Sequence, residues 1–193
     1  MCIRDRPDLP VHVAQIAVRH LPRSIARQLI VDLSTHHGLQ FALDPTHKKD
    51  LPDQIVDLTA GNPYFIHILC RSLLFRVDRE RRSQILPRDL ERTVSEMLGY
   101  PVLFEHLFHA LRNQQRAIVD QIAQIIPVGQ RQSLSATQEV ISDNLGFHLD
   151  DVATQIALLE QIDVLEVTGE FPHQHVGIPI QLLHKWLRFH WKR

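Results

Sequence analysis

One segment of this chain predicts a helix that is apolar on nearly every side, which restricts the possible folds more than any other feature. The segment follows Gly61-Asn62-Pro63 and runs through Tyr64–Cys70 to Leu74. Gly61 can adopt the left-handed conformation that ends one helix, Asn62 is a good N-cap, and Pro63 suits the first position of the next helix. A helix with so little polar surface is buried by its neighbours. The sequence therefore predicts a helical bundle with this helix at its centre.

Start and stop signals predict further helices on both sides of this segment. One helix runs from Pro22 to His37-Gly38, a short one begins at Pro52, and another runs from Pro87 to Gly99. A connecting helix lies within residues 100–113. The first part of the chain is therefore predicted to be a purely helical unit.

Beyond residue 111 the pattern changes, because strands join the helices. Helices are predicted at Gln114–Ile126, from a capping Ser135 to Gly146, and at Leu149–Gln161. Two strands, Val164–Val167 and His175–Ile178, then flank a turn, and a final amphipathic helix carries Trp186. Three helices followed by a two-stranded ribbon is the order of a winged helix, a variant of the helix-turn-helix. The predicted fold class is mainly α with a short β-ribbon.

Composition excludes several functional classes. The 193 residues carry a formal charge of -1, so there is no overall attraction to nucleic acid or to an anionic membrane. No stretch approaches the roughly 20 apolar residues of a membrane span, and the N-terminus has no signal-peptide core. Two cysteines cannot form a disulfide framework. We expect a cytoplasmic protein with no membrane partner.

Sequence motifs of catalysis and metal binding are also missing. The chain contains no G-x-x-x-x-G-K-[ST], G-x-G-x-x-G, G-x-S-x-G, H-E-x-x-H or C-x-x-C. His106 and His109 lie three residues apart on a predicted helix, and His173 and His175 alternate along a predicted strand. Neither pair has the additional ligands that a structural zinc site requires. We predict no catalytic residue and no metal site.

Four segments resemble the helical lid and winged helix of P-loop ATPases of the AAA+/STAND group. Leu58–Leu73 is similar to the start of the lid around Gly-Asn-Pro, Leu21–Ile30 to its first helix, and Ile85–Glu91 to the entry of its last helix. Pro179–Leu187 resembles the helix that closes the winged helix. The resemblance implies a lid domain over residues 7–111 and a winged-helix domain over 112–193. The family's nucleotide-binding core would lie before residue 1.

The resemblance also implies site residues. In these ATPases a Gly-x-Pro at this place lies against the nucleotide, which assigns nucleotide contacts to Gly61, Asn62 and Pro63. The helix that starts there would also offer unpaired N–H groups to an anion. Arg71 would be a phosphate-sensing arginine. The alternatives are that the tripeptide only separates two helices and that Arg71 is a solvated helix position.

Without the phosphate loop and magnesium ligands, the chain alone is expected to be no enzyme and to hold no cofactor. ATP or ADP with Mg²⁺ would bind in the parent protein, whose own or neighbouring P-loop core would be a partner. Met1–Arg6 is similar to translated sequencing-adapter sequence. We therefore expect residues 1–6 to be non-native or disordered and the chain to be a gene fragment.

Two functions follow from these expectations. The first is a regulatory C-terminal portion of an AAA+/STAND ATP-binding protein that couples nucleotide state to a protein partner through the winged helix. The alternative is a DNA-binding winged-helix transcriptional regulator. The helix at 149–161, which would enter the major groove, contains Asp150, Asp151 and Glu160 but no Lys or Arg. Residues 112–193 carry seven basic and nine acidic side chains, which favours the protein partner over DNA.

Overall fold

A computed structural model describes residues 19–42, 49–100 and 102–191, and these ranges form nine helices and five short strands. The helices are α1 (Arg23–His36), α2 (Leu51–Thr59), α3 (Pro63–Arg79), α4 (Pro87–Leu98), α5 (Val102–Ala110), α6 (Asn113–Ile125), α7 (Leu134–Leu145), α8 (Leu149–Gln161) and α9 (Gln181–Trp191). The strands are β1 (Gln40–Phe41), β2 (Gln84–Ile85), β3 (Gln132–Ser133), β4 (Glu166–Thr168) and β5 (His175–Gly177). The prediction of a mainly helical fold is confirmed. The expectation for residues 1–6 lies outside the described residues.

Local signals in the sequence set most helix ends. Helix α3 begins at Pro63 and α4 begins at Pro87, as predicted, and each proline occupies a position where its missing N–H costs no hydrogen bond. Gly146 follows α7 in the left-handed conformation, with φ of +67°. The predicted cap of α7 is wrong: the helix starts at Leu134 rather than after Ser135, because β3 leads directly into it.

The strands form two small sheets. The predicted ribbon is present, since β4 and β5 pair antiparallel with Val167 opposite Val176, although β4 begins at Glu166 and not at Val164 as predicted. Strand β3 pairs with the other edge of β5, which gives the strand order β3-β5-β4. Strands β1 and β2 pair in parallel, with Gln40 opposite Gln84, and connect the segments that follow α1 and α3. Neither β3 nor the β1–β2 pair was predicted, because two residues are too few to show an alternating pattern.

The hydrophobic core is continuous from α1 to α9. Helix α3 contributes Ile66 and Leu69 to the core, both fully buried, but it is not enclosed on all sides as predicted: Tyr64, His67 and Phe75 lie on an exposed face. The ring of Phe65 stacks on Phe104 at 5.7 Å between centroids, and Phe104 stacks on Trp186 at 5.1 Å. Helix α9 thereby contacts the first part of the chain, and it also packs on α2, α4 and α6. The division into domains at residue 111 stays a prediction, and the two parts share one core.

Membrane insertion receives no support from the helices. In the ranges that the structure describes, no helix is both long enough and apolar enough to cross a bilayer.

Asp120 on α6 destabilises the fold at neutral pH. Burial raises the pKa of its carboxyl from 3.8 to about 6, so ionisation at pH 7 costs more in the folded than in the unfolded chain. Asp120→Asn is expected to raise the free energy of unfolding at pH 7 by about 1–2 kcal/mol. The gain shrinks as the pH falls from 6 towards 4, because the folded carboxyl then binds a proton. Urea denaturation across this range measures it, with the exposed Asp143→Asn as the control that changes nothing.

Candidate functional site

The Gly-Asn-Pro segment lies between α2 and α3 and turns the chain sharply. Ala60 and Gly61 are both left-handed, with φ of +51° and +73°. The Asn62 side chain then accepts hydrogen bonds from the backbone N–H of Tyr64 at 3.0 Å and of Phe65 at 3.3 Å. The predicted roles of Gly61 in the turn, Asn62 as the N-cap and Pro63 as the first helical residue are confirmed.

Asn62 leaves little of the helix N-terminus free for an anion. Pro63 has no N–H, Asn62 binds the N–H groups of Tyr64 and Phe65, and Ile66 donates to the Asn62 carbonyl at 2.9 Å. The expectation of unpaired N–H groups at this end is therefore wrong in this conformation. The accessible groups at the turn include the half-buried Pro63 ring and the exposed Tyr64 side chain. A flat apolar ligand surface fits these groups better than a phosphate does.

Gly61 is held against the segment that leads into α1. Leu21 donates its backbone N–H to the Gly61 carbonyl at 2.9 Å. A Cβ at residue 61 would lie 2.4 Å from the Leu21 carbonyl oxygen, which is closer than real atoms approach. The turn thus requires glycine for two reasons, its conformation and its contact with Leu21. Sequence reasoning found the first reason and missed the second, which depends on a contact across 40 residues.

Ion pairs join the start of α1 to α2 and to the residues just before α2. Arg23 binds Asp57 at 2.6 Å and Asp53 at 2.8 Å, and Lys49 binds Asp57 at 2.6 Å. Burial opposes ionisation of Asp57, but the hydrogen bonds and charges of Arg23 and Lys49 outweigh it and lower its pKa. Arg27 adds a bond to Asp50 at 2.6 Å. These ion pairs hold α1 and α2 together beside the turn.

A polar cleft of about 390 Å³ opens next to the turn, between the two parts of the chain. Its walls include Leu21, Arg23 and Ala60 on one side and Arg131 and Glu166 on the other. The charges in its walls are already paired, Arg23 with Asp57 and Arg131 with Glu166. The cleft therefore has little unpaired charge with which to bind an ionic ligand.

Arg71 is not brought to the turn. It lies eight residues after Pro63 on α3, which corresponds to about 12 Å along the helix axis. It is exposed, and in the described part of the chain no hydrogen bond or ion pair joins it. It borders a separate groove of about 470 Å³ between α1 and α3, together with Leu33 and His67. The predicted site residues thus fall in two places, with Gly61, Asn62 and Pro63 together and Arg71 apart.

Other candidate groups have structural roles. Cys70 is buried, and burial raises the pKa of its thiol to about 12, so it remains protonated and unreactive. His173 and His175 do not share a strand face, since only His175 lies in β5. The side chains of His106 and His109 lie outside the described residues. Where the structure describes side chains, no group of three or more His, Cys, Asp or Glu is arranged to hold a metal ion.

The arginine-rich end of α3 has partners within the chain. Arg76 pairs with Glu96, and Arg82 binds both oxygens of Asp89 at 2.8 and 2.9 Å. Asp89 is 1% exposed and also accepts the backbone N–H of Leu86 at 2.8 Å. The buried carboxylate of Asp89 was not predicted from the sequence. The available signal was Asp89 itself, since an acidic residue at the third position of a helix often accepts a hydrogen bond from the backbone at the N-cap.

Comparison of the chain with known protein families finds no family that matches, and comparison with curated proteins finds no relative. The resemblance to AAA+/STAND ATPases therefore stays a prediction.

Proposed function

We propose that the chain is the regulatory C-terminal portion of an AAA+/STAND-type ATP-binding protein, with residues 7–111 as the lid and 112–193 as a winged helix. In this function it couples the nucleotide state of a P-loop core to a protein partner. The chain alone hydrolyses no ATP and holds no cofactor, since it contains neither the phosphate loop nor the magnesium ligands of such a core.

The observation that carries the proposal is the hydrogen bond from Leu21 to Gly61. Leu21 belongs to the segment through which any preceding domain joins the helical bundle. Gly61 belongs to the turn that the resemblance assigns to the nucleotide. A conformational change at the turn would therefore be passed directly to the segment that leads into α1. The connection consists of a backbone hydrogen bond and the ion pairs of Arg23. Two packed elements with such a contact can transmit movement between domains.

The second part of the chain supports the winged-helix assignment. Its elements follow the order α6-β3-α7-α8-β4-β5-α9, and β5 lies between β3 and β4. Three helices with a small antiparallel sheet and a hairpin are the parts of that fold. The contact of α9 with α2 and α4 links this part to the proposed lid.

DNA binding is the alternative, and the charge of α8 does not favour it. The exposed Asp150 and Asp151 would face phosphates in a major-groove complex, where Lys or Arg is required. An electrophoretic mobility shift assay with the whole chain distinguishes the two functions. Salt-sensitive binding to duplex DNA would support the alternative.

The test of the proposed function starts with the reading frame before residue 1 and the neighbouring genes. One of these should encode a phosphate-binding loop, and its absence from all of them would contradict the proposal. In the protein that contains both parts, Pro63→Ala should weaken ADP binding about tenfold, a loss of about 1.4 kcal/mol for one ring contact. Isothermal titration calorimetry gives the affinity.

Pro87→Ala is the matched control. Pro87 is also the first residue of a helix, α4, and the same atoms are removed there. ADP affinity should not change in this variant. Equal affinities of wild type, Pro63→Ala and Pro87→Ala would remove the proposed nucleotide contact.

A further inference from the structure

The part of the chain between Arg131 and Lys185 has an unusual charge distribution. Its 53 residues contain eight Asp or Glu and no Lys or Arg. They include α7, α8, β4 and β5, so none of these four elements carries a Lys or Arg. The acidic residues are Glu139, Asp143, Asp150, Asp151, Glu160, Asp163, Glu166 and Glu170.

Most of these carboxylates have no ion-pair partner. In the described part of the chain, Glu166 alone among the eight forms a salt bridge, with Arg131. The carboxylates at α2 differ, because its N-cap Asp50 and its own Asp53 and Asp57 all pair with Arg or Lys. The carboxylates on α7 and α8 can therefore form ion pairs with another molecule.

Apolar side chains lie among these carboxylates on the outer face of α8. Val152, Ile156 and Leu159 form its buried face. The spacing of four residues places Asp150, Thr154 and Leu158 in a row on the opposite face, and Leu158 is 37% exposed. Ile162, the residue that follows α8, is 54% exposed.

Helix α7 carries the same two kinds of exposed side chain. It packs against α8, and its exposed side carries Glu139, Val140 and Asp143. Val140 is 42% exposed. The acidic-apolar face, defined as the exposed side chains of α7, α8 and Ile162, therefore combines unpaired negative charge with aliphatic surface.

We propose that the acidic-apolar face binds a protein segment that carries Lys or Arg together with aliphatic side chains, such as one face of a basic amphipathic helix. Burial of Leu158, Ile162 and Val140 supplies the apolar contact. The unpaired carboxylates select positive charge and repel nucleic acid. This inference rests on the partner-binding role proposed for the second part of the chain, and it names the chemistry of the partner.

The probe is a helical peptide of about 18 residues in which Lys and Leu recur at spacings of three and four, with a Glu/Leu peptide as its counterpart. Titration of the whole chain, followed by amide NMR shifts, should show binding of the Lys/Leu peptide with shifts confined to α7, α8 and their neighbours. The affinity should fall at least fivefold when salt rises from about 0.05 to about 0.5 M. The Glu/Leu peptide should not bind.

Variants separate the two components of the face. Asp150→Asn/Asp151→Asn and Leu158→Gln/Ile162→Gln should each raise the Kd at least fivefold. Asp32→Asn/Asp78→Asn removes the same charge from exposed positions on α1 and α3 and should leave the Kd unchanged. Circular dichroism confirms that each variant is folded. All six substituted residues are exposed, so the fold should persist.

Three results would overturn the inference: no binding of the Lys/Leu peptide, equal loss in the Asp32→Asn/Asp78→Asn control, or tighter binding to duplex DNA than to the peptide. The experiment uses no nucleotide and no P-loop core. An unchanged ADP affinity in Pro63→Ala would therefore remove the proposed nucleotide contact without affecting the peptide result. Failure of the Lys/Leu peptide to bind would likewise leave the ADP affinities unaffected.

Discussion

Gly61→Ala is expected to lower the free energy of unfolding by at least about 3 kcal/mol, or roughly 10 °C in Tm for a chain of this size. The left-handed conformation of residue 61, with φ of +73°, costs an alanine about 1 kcal/mol. The larger cost comes from the Cβ, which would lie 2.4 Å from the Leu21 carbonyl oxygen. Both atoms belong to the backbone or are fixed to it, so α2 or the Leu21 segment must move. Thermal and urea denaturation measure the loss.

Gly146→Ala is the control that isolates the conformational cost. Gly146 has nearly the same φ, +67°, but a Cβ there meets no atom within 4 Å. The expected loss is about 1 kcal/mol, from backbone strain alone. Similar losses of stability in Gly61→Ala and Gly146→Ala would show that a Cβ at residue 61 does not clash with the Leu21 carbonyl oxygen.

The contact also predicts where Gly61→Ala acts. If the variant still folds, the hydrogen bond from Leu21 to Gly61 should be lost first, because it joins the two backbones that must separate. Amide hydrogen exchange at Leu21 should then accelerate, while exchange in α8 stays unchanged. Uniform acceleration through the chain would indicate loss of the whole fold instead.

The elements that sequence reasoning placed well are those with local causes. The start of α3 was predictable because Asn62 and Pro63 act on their own neighbours. The β4–β5 ribbon was predictable because short, mostly apolar runs lie on both sides of the turn at Gly169. In the site, the conformation of Gly61 and the cap at Asn62 were found for the same reason.

What could not be predicted depends on residues far apart in the sequence. The pairing of β1 with β2 joins residues 44 positions apart, and nothing in two residues shows it. The contact of Leu21 with Gly61 and the stack of Phe104 on Trp186 arise only when the helices pack. Arg71 lies apart from the turn for a simpler reason. Eight residues along a helix is too far for both ends to share one small site.

The buried carboxylate of Asp89 should be the other position of large effect. Asp89→Ala is expected to cost about 2–4 kcal/mol, because it leaves the Leu86 N–H without an acceptor and leaves Arg82, which still pairs with Glu80, without its bidentate partner. The loss should reach beyond α4, since Arg82 also donates to the Gln84 carbonyl at 3.0 Å, in strand β2. Urea denaturation at pH 7 gives the free energy. Glu96→Ala, which breaks the pair with Arg76 at a carboxylate that is 60% exposed, should cost less than about 1 kcal/mol.

The pH dependence of the free energy of unfolding distinguishes the charge of Asp89 from its hydrogen bonds. Burial opposes ionisation of this carboxyl, but Arg82 and the Leu86 N–H outweigh it and hold its pKa below the ordinary value of 3.8. Its ionisation therefore stabilises the fold above about pH 4, and this contribution is lost as the pH falls further. Asp89→Asn keeps the size of the side chain and an oxygen for the Leu86 N–H. The wild type should be more stable than Asp89→Asn at pH 7, and the difference should shrink below pH 4. A difference that stays constant with pH would mean that Asp89 acts through its hydrogen bonds and not through its charge.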